Sequence, residues 1–300
     1  MKKNYLIPIL LISICAIWGG SFVVVKVIVD EIASIQLGFL RFLVATPIMF
    51  LLILLQNKKV KIPLKEFPSL VVLGLTGVTL IYIFQYIGIE YTTASTSSAL
   101  ININVIFIAL LSSIFLKEYF SFKKTLGITL SFVGVIVIIL SQSANEQIEF
   151  NSLFLLGSLF ILLSAFCWAI YSIVGKKLLK RYDSLTVISY AFLLGTIFYI
   201  PFILSDFSNF TLDISFNGWL SIFYISILCS VFGYVGWYYA LNQIEASKAA
   251  VFLNTIPLFG IVISYFITKE IPTYFFLIGA ILIIYGVYIT QKTKDKKARQ

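Results

Sequence analysis

Residues 82–134 read YIFQYIGIEYTTASTSSALININVIFIALLSSIFLKEYFSFKKTLGITLSFVG, and residues 234–286 read YVGWYYALNQIEASKAAVFLNTIPLFGIVISYFITKEIPTYFFLIGAILIIYG. The two stretches align without a gap, and the matches include polar and small residues as well as apolar ones. The matched pairs are Tyr82 with Tyr234, Gln85 with Trp237, Tyr86 with Tyr238, Ala94-Ser95 with Ala246-Ser247, Asn102 with Asn254, Lys117-Glu118 with Lys269-Glu270, Gly127 with Gly279, and Gly134 with Gly286. The chain is therefore an internal duplication. Upstream of Tyr82 the offset is two residues shorter, and it matches Trp18 with Trp168.

The composition places both copies in a membrane. The 300 residues are 60% hydrophobic and only 12% charged, whereas soluble domains carry about 25% charged residues. The net charge of +9 comes from basic residues in short gaps between apolar runs and at the two ends. This placement follows the positive-inside rule and does not resemble a nucleic-acid footprint. We therefore expect the lipid bilayer, and no nucleic acid, as a partner.

The apolar runs predict ten transmembrane helices, because a span needs about 20 apolar residues. The predicted spans are 5–28, 34–55, 67–88, 93–116, 122–141, 152–174, 184–204, 216–240, 246–267 and 271–290. The fold class is an all-α integral membrane protein with two five-helix repeats. The predicted units are a first repeat at 1–141, an outer connecting loop at 142–151, a second repeat at 152–291 and a basic tail at 292–300.

Alternate connections between the spans differ in charge. One set, which includes both chain ends, holds nearly all the lysines and arginines, and the other set holds only Lys26 and Lys269. The positive-inside rule then predicts a multi-pass protein of the cell membrane with both termini in the cytoplasm. Since five is an odd number of spans, the second repeat must cross the membrane in the opposite sense to the first. We expect a two-fold axis in the membrane plane and glycines that let helices pack closely.

Several kinds of chemistry are excluded by missing residues. The chain has no histidine, so it has no histidine base and no histidine-ligated metal. Cys15, Cys167 and Cys229 all lie in apolar runs without a C-x-x-C pair and are predicted to be small hydrophobic residues. No G-x-x-x-x-G-K-[ST] loop is present for ATP. We expect no metal and no cofactor.

Short motifs in both copies resemble the ten-helix EamA-like permeases of the drug/metabolite transporter superfamily. The motif residues are Trp18-Gly19-Gly20-Ser21-Phe22 with Lys26, Arg41-Phe42, Ala94-Ser95 with Lys117-Glu118, and the repeat of the last through Lys269-Glu270 and Gly279. The resemblance implies export or exchange of small metabolites, often amino acids or amphiphilic compounds, without ATP. The second copy departs from the motif: Trp168 is not followed by Gly-Gly-Ser-Phe, and Ala191 stands at the counterpart of Arg41.

Two asparagines are candidates for substrate binding. Asn102 and Asn254 lie near the middle of equivalent spans, where an amide is costly unless it finds partners. They can line a central cavity or join helices by hydrogen bonds. Pro257 follows Asn254 and frees a backbone carbonyl, which indicates either a broken helix at the site or a packing kink.

Aromatic residues at helical spacing form a second group of candidates. Tyr82, Gln85 and Tyr86 share one helix face, and so do their equivalents. These faces can grip an amphiphilic substrate or can belong to the aromatic belt at the membrane boundary. The first span of each repeat adds possible cavity walls. The remaining candidates of this group are Trp18, Ser21, Trp168, Tyr171, Tyr234, Trp237 and Tyr238.

Three charged residues are candidates for binding or gating. Arg41 lies well inside its span and can bind a substrate carboxylate, reach the membrane surface, or pair with Glu90, Asp30 or Glu31. Glu118 and Glu270 end equivalent helices on opposite faces. Each is a candidate for gating or ion coupling, and the alternative is a solvated or paired edge charge.

These patterns predict a secondary transporter and not an enzyme. We expect it to move small metabolites, amino acids or amphiphilic compounds, most simply by export through alternating access. The alternatives are an intramembrane enzyme acting on lipids and a lipid scramblase. The partners expected are the bilayer and a small-molecule substrate, and a homodimer stays open.

Overall fold

The structure, a computed structural model, describes residues 5–28, 31–56, 62–92, 97, 100–143, 152–205, 207–268 and 274–293. These residues form helices and connecting loops, and no strand occurs among them. The all-α class predicted from sequence is therefore confirmed for the described part of the chain. Glu270 lies outside the described residues, as do Lys269, Ala94-Ser95 and Asp30.

The first half contains helices that follow the apolar runs. They are α1 (Leu6–Ile28), α2 (Ser34–Leu55), α3 (Leu64–Tyr91), α4 (Asn104–Phe115) and α5 (Phe122–Ser143). The predicted bounds agree within a few residues except in α4. The predicted span 93–116 is interrupted there: residues 97 and 100–101 are helical, residues 102–103 form a turn, and α4 begins at Asn104.

The second half repeats this order. Its helices are α6 (Ser152–Leu178), α7 (Ser184–Ser205), α8 (Phe216–Gln243), α9 (246–268) and α10 (Tyr274–Gln291). A short 3-10 turn, Phe207–Asn209, lies in the connection between α7 and α8.

The apolar character of the helices makes this a multi-pass membrane protein. Within the described residues, α2, α3, α6, α7 and α8 are each long and apolar enough to cross a membrane, and shorter apolar helical stretches lie in α1, α4 and α10. The outer surface exposes large apolar side chains such as Leu54 and Ile281, which are 69% and 67% exposed. Soluble proteins rarely expose broad apolar patches, whereas lipid tails solvate them.

Residues at equivalent positions of the two copies contact one another. The Thr46 and Thr196 hydroxyls lie 3.0 Å apart, and they are 150 residues apart in sequence. The Tyr82 and Tyr234 hydroxyls lie 2.9 Å apart at a separation of 152 residues. The change in offset agrees with the two-residue insertion before Tyr82. Equivalent residues meet in this way where a two-fold axis passes between them.

The packing of α5 on α10 also joins equivalent helices of the two copies. A Cβ on Gly127 would lie 2.7 Å from the Gly286 carbonyl oxygen, and a Cβ on Gly134 would lie 2.6 Å from the Gly279 carbonyl oxygen. Gly127 is the equivalent of Gly279, and Gly134 is the equivalent of Gly286. Replacing each glycine of the Gly127–Gly286 contact by its equivalent in the other copy therefore gives the Gly134–Gly279 contact. The missing side chains let the two backbones approach closely, as predicted.

Both copies lose regular α-geometry at equivalent places. α3 contains a π-helical segment at Leu75–Thr79, and α8 contains one at Tyr224–Phe232. α9 contains a 3-10 segment at Val251–Thr255, which includes Asn254, and the turn before α4 includes Asn102. The turn at 102–103 occurs without a proline, whereas Pro257 follows the 3-10 segment of α9 closely.

Candidate functional site

A cavity lies between the two halves of the molecule. It encloses about 770 Å³ of space free of atoms, including its open mouth. Most of its wall comes from the first half, and α6 and α9 contribute the rest. The lining residues are Trp18, Ser21, Val25, Arg41, Ile81, Tyr82, Gln85, Tyr86, Ile89, Ile101, Asn102, Asn104, Trp168, Leu253 and Ile256.

The cavity brings together most of the residues that the sequence singles out. Of the predicted binding residues, those that line it are Trp18, Ser21, Arg41, Tyr82, Gln85, Tyr86, Asn102 and Trp168. Tyr171, Tyr234, Trp237, Tyr238 and Asn254 do not line it. The first-copy aromatic face thus contributes to the wall, and the second-copy face does not.

The second-copy aromatic face forms a closed layer beside the cavity. Tyr234, Trp237 and Tyr238 are fully buried. The Tyr234 hydroxyl bonds to the Gly77 carbonyl at 2.8 Å, and the Tyr238 hydroxyl donates to the Tyr171 carbonyl at 3.1 Å. These rings lie in the protein interior, so they do not form a belt at the membrane boundary.

Aromatic contacts join this layer to the cavity wall. The Trp168 ring lies 5.3 Å from the Trp18 ring and 5.4 Å from the Tyr234 ring, with edge-to-face geometry in both pairs. Trp18 also donates its indole N–H to the Cys229 carbonyl at 2.9 Å. Such pairs fix ring orientation. The wall is therefore rigid on the side that faces the buried tyrosines.

Arg41 is the charged residue of the cavity wall, and it is only 3% exposed. Its Nε donates to the Ser230 hydroxyl at 2.6 Å, and its guanidinium carbon lies 4.2 Å from the centre of the Tyr82 ring. Ser230 belongs to the π-helical segment of α8 and also donates to the Ile225 carbonyl at 3.0 Å. The Arg41 Nη2 finds no hydrogen-bond partner in the part of the chain that the structure describes. Arg41 therefore points into the protein and does not reach the membrane surface.

Two of the three carboxylates that the sequence offered as partners for Arg41 accept other hydrogen bonds, and the third, Asp30, lies outside the described residues. The Glu90 carboxylate accepts from the Ser34 hydroxyl at 2.6 Å. Glu31 accepts from both the backbone N–H and the hydroxyl of Ser215, each at 2.8 Å. No ion pair to Arg41 occurs among the described residues. The structure thus contains a buried cation in a cavity without a described counter-ion.

The asparagines of the two copies differ in their surroundings. Asn102 is buried and lines the cavity. Asn254 is fully buried away from it, and its Nδ2 donates to the Ser131 hydroxyl at 2.7 Å. This bond ties α9 to α5, which is the helix-joining role. Asn254 is thus placed outside the cavity that its equivalent lines.

Asn104 is not among the residues predicted to bind substrate, and its equivalent in the second copy is the apolar Ile256. The structure places both Asn104 and Ile256 in the cavity wall, and the Oδ1 of Asn104 has no hydrogen-bond partner within the described ranges. The sequence feature that could have identified Asn104 was the pair of amides at 102 and 104. The apolar lining residues could not be identified from sequence, because an isoleucine that faces a cavity cannot be distinguished there from one that faces lipid.

Glu118 holds the start of α9 from the opposite half of the chain. Its carboxylate accepts from the backbone N–H groups of Ala246 and Ser247 at 2.6 and 3.1 Å, and from the Ser247 hydroxyl at 2.5 Å. Anionic groups stabilise helix N-termini in this way. The Nζ atoms of Lys124 and Lys176 each lie 3.7 Å from it. Glu118 is therefore a paired group and not a solvated edge charge.

The electrostatics around Glu118 favour its charged form. Burial alone would raise the pKa of this carboxyl, but Lys176 and the hydrogen bonds from Ser247 and Ala246 outweigh burial, so the pKa lies below its ordinary value. Lys124 also pairs with Glu245 at 2.6 Å. These contacts form the Glu118 cluster: Glu118, Lys124, Lys176, Glu245, Ala246 and Ser247.

The described residues contain no group of three or more histidine, cysteine or acidic side chains that could hold a metal. The three cysteines are buried and free. The polar groups of the cavity are instead a guanidinium, amides, hydroxyls and indole rings, which suit reversible binding of a small polar and apolar molecule.

Comparisons with known proteins agree with this architecture. A relative from Archaeoglobus fulgidus, named "Uncharacterized transporter", is 39% identical over 276 residues, which cover 91% of this chain and 93% of the relative. A protein from Salmonella typhimurium named "Probable amino-acid metabolite efflux pump" is 27% identical and covers 93% of both chains. A solved structure matches with a TM-score of 0.80 at 15% identity, covering 94% of this chain and 98% of its own. That likeness shows a shared fold.

The profile of the EamA-like transporter family matches the chain twice, at residues 6–140 and 155–291. The two matches correspond to the two copies read from the sequence, and the resemblance to this family is confirmed. The chain belongs to the EamA-like transporter family of the drug/metabolite transporter superfamily, and it is a transporter and not an enzyme.

Proposed function

We propose that this protein is a secondary transporter that moves small amphiphilic metabolites, amino acids among them, out of the cell by alternating access. The observation that carries the proposal is the cavity between the two halves, with its amide, hydroxyl, guanidinium and aromatic lining. Secondary transporters of duplicated fold bind their substrates at such a junction. The relative named as an amino-acid metabolite efflux pump supports this substrate range.

The proposed topology has ten spans in two inverted repeats, with both termini on the cytoplasmic side of the cell membrane. Two observations support it. The basic residues lie in alternate connections, and equivalent side chains, such as Tyr82 and Tyr234, meet each other between the halves. A two-fold axis in the membrane plane accounts for both.

In this orientation most of the residues that line the cavity lie toward the outer ends of their helices. Trp18, Ser21 and Val25 lie in the half of α1 nearer its outer end, and Arg41 lies in the outer half of α2. Gln85 and the residues after it in α3 also lie toward the outer end. We therefore assign the described conformation to the outward-open state.

The Glu118 cluster closes the cytoplasmic side in this state. It joins the end of α4, from the first half, to the start of α9, from the second half. Opening toward the cytoplasm requires α9 to move away from its neighbours, and this movement breaks the hydrogen bonds to Glu118. Because the pKa of Glu118 is lowered, its carboxylate stays ionised near neutral pH. We propose a gating role for it.

Reconstituted liposomes test the function. Purified protein should give saturable flux of radiolabelled apolar amino acids, and Asn102→Ala should lower it at least several-fold because the cavity loses an amide. Asn242→Ala is the matched control, since Asn242 is exposed on α8. Absence of flux for every amino acid and amphiphile tested would refute the proposal. Movement of fluorescent lipids between leaflets in place of solute flux would favour a scramblase.

A further inference from the structure

We infer that the cavity recognises a carboxylate, or an equivalent anionic oxygen, through Arg41, so that the transported molecule is an amphiphilic acid. This inference rests on the proposed function and narrows its substrate class. It begins from the unfilled hydrogen-bonding capacity of the cavity wall.

The first step concerns the guanidinium itself. A guanidinium carries five N–H donors in a fixed plane. In Arg41 the Nε donor is used by Ser230, whereas the buried Nη2 has no hydrogen-bond partner among the described residues. Buried donors are normally satisfied, so this donor is left for a ligand that enters the cavity which Arg41 lines. The Ser230 bond and the Tyr82 ring fix the plane of the guanidinium.

The second step concerns charge. No described carboxylate pairs with Arg41, because Glu90 and Glu31 accept hydrogen bonds from Ser34 and Ser215. A buried cation needs a compensating charge. The Tyr82 ring supplies part of this through its quadrupole, but a ring does not satisfy the Nη2 donor. A bound oxyanion supplies both the charge and the acceptor.

The third step concerns the rest of the molecule. Tyr86 lines the same cavity, and its hydroxyl, which has no hydrogen-bond partner among the residues that the structure describes, can donate to the second oxygen of a carboxylate. The Oδ1 of Asn104, which likewise has no described partner, is an acceptor and suits an N–H or O–H group of the substrate. Trp18, Trp168 and the isoleucines of the wall suit an apolar body.

A comparison of acids with their amides tests the inference on the unaltered protein. Binding to purified protein in detergent at pH 7.5 is followed by tryptophan fluorescence, because Trp18 and Trp168 line the cavity. The probes are 3-phenylpropionate, 4-methylpentanoate and the primary amide of each. We expect each acid to bind about 10- to 100-fold more tightly than its amide, from the strength of a hydrogen bond to a charged group.

Two variants localise the effect. Arg41→Met keeps most of the side-chain volume and should abolish the preference for acid over amide. Tyr199→Phe is the control: Tyr199 carries a buried hydroxyl that has no partner among the described residues, and it does not line the cavity, so the preference should be unchanged. If Arg41→Met does not fold, the comparison of acid and amide on the unaltered protein decides alone.

Each outcome bears on the inference. Equal binding of acids and amides, or loss of the preference in Tyr199→Phe, overturns it. Saturation of the signal by chloride alone, with no further response to the acids, also overturns it and indicates an inorganic-anion site. Saturable liposome flux of neutral amphiphiles without preference for acids overturns the carboxylate and leaves the transporter proposal standing. Failure of every probe to bind or to move overturns both.

Discussion

Replacing Glu118 with glutamine should open the cytoplasmic side of the transporter. The carboxylate accepts three hydrogen bonds from Ala246 and Ser247 and is only 6% exposed, so solvent screens these interactions little. Glutamine keeps one acceptor oxygen, loses the charge and turns an amide N–H₂ toward donors. Hydrogen bonds to charged groups are worth about 1.5–3 kcal/mol and neutral ones about 0.5–1.5 kcal/mol.

The loss summed over these contacts is about 2–3 kcal/mol, because a charge-assisted bond exceeds a neutral one by about 1 kcal/mol. A destabilisation of this size raises the ratio of inward-open to outward-open protein by about 30- to 150-fold, at tenfold per 1.4 kcal/mol. The charge of the cluster also changes, since Lys124 and Lys176 lose one of their carboxylates. The expected result is a large shift in population with the fold intact.

Cys15 reports this shift without an introduced probe. It is buried between α1 and α9, and its thiol donates to the Phe252 carbonyl at 3.2 Å. Movement of α9 would uncover it. In a background with Cys167→Ala and Cys229→Ala, a maleimide should label Cys15 from the cytoplasmic side of inverted vesicles. While the inward-open state is minor, Glu118→Gln should raise that rate by the same 30- to 150-fold.

Lys123→Gln is the control for this experiment, because Lys123 is an exposed charge beside the cluster with no bond to α9. Its labelling rate should match that of the parent. A rate for Glu118→Gln within twofold of the parent would refute the role of Glu118 in closing the cytoplasmic side. An equal rise in Lys123→Gln would show that loss of any nearby charge produces the effect.

Two other predictions concern the Glu118 cluster and the packing of α5 on α10. The folded-state pKa of Glu118 lies below its ordinary value of 4.5, so the stabilisation that its carboxylate contributes is fully present above pH 4.5 and is lost as the pH falls through the lowered pKa. Cys15 labelling, corrected for maleimide reactivity, should therefore be constant from pH 8 to 5. A rise in labelling near pH 6 to 7 would contradict this expectation. Gly134→Ala should lower the thermal midpoint in detergent by several degrees, because the new Cβ would lie 2.6 Å from the Gly279 carbonyl. Gly260→Ala has 3.5 Å to its nearest neighbour and should be tolerated, so equal losses would disprove the packing argument.

The helices could be predicted closely because an apolar run in a membrane leaves few alternatives. Every backbone polar group must be bonded within the segment, so runs of about 20 apolar residues become helices. α2 begins and ends at the predicted residues, 34 and 55. The turn at 102–103 could not be predicted, because the local sequence ININV contains no glycine or proline.

The residues of the cavity were predicted only in part, because the internal repeat makes equivalent residues of the two copies equally good candidates. The repeat assigns equal status to Tyr82 and Tyr234, and to Asn102 and Asn254. In this structure the cavity wall contains one member of each of these two pairs, although it contains both members of the equivalent pair Trp18 and Trp168. Tyr82 and Asn102 line the cavity, and their equivalents close the protein beside it. The sequence repeat predicts which residues are equivalent in the fold, but it does not predict which of two equivalent residues lines the cavity in one conformational state.

The hydrogen-bond partner of Arg41 also could not be predicted from the sequence. Ser230 lies 189 residues away and reaches Arg41 through the π-helical segment of α8. Ala191 at the counterpart of Arg41 did indicate that the charge serves one copy only. This difference between the two copies is visible in the sequence, whereas the difference that arises from a single conformational state is not. It indicates a substrate that approaches Arg41 in one orientation.

The inverted arrangement of the two halves is tested most directly by labelling equivalent helix starts from each side of the membrane. Leu64 and Phe216 begin α3 and α8 and are 84% and 77% exposed. With Leu64→Cys and Phe216→Cys introduced singly into a cysteine-free background, a membrane-impermeant maleimide should label Phe216→Cys in intact cells and Leu64→Cys only in inverted vesicles. Labelling of both positions from the same side would contradict the account.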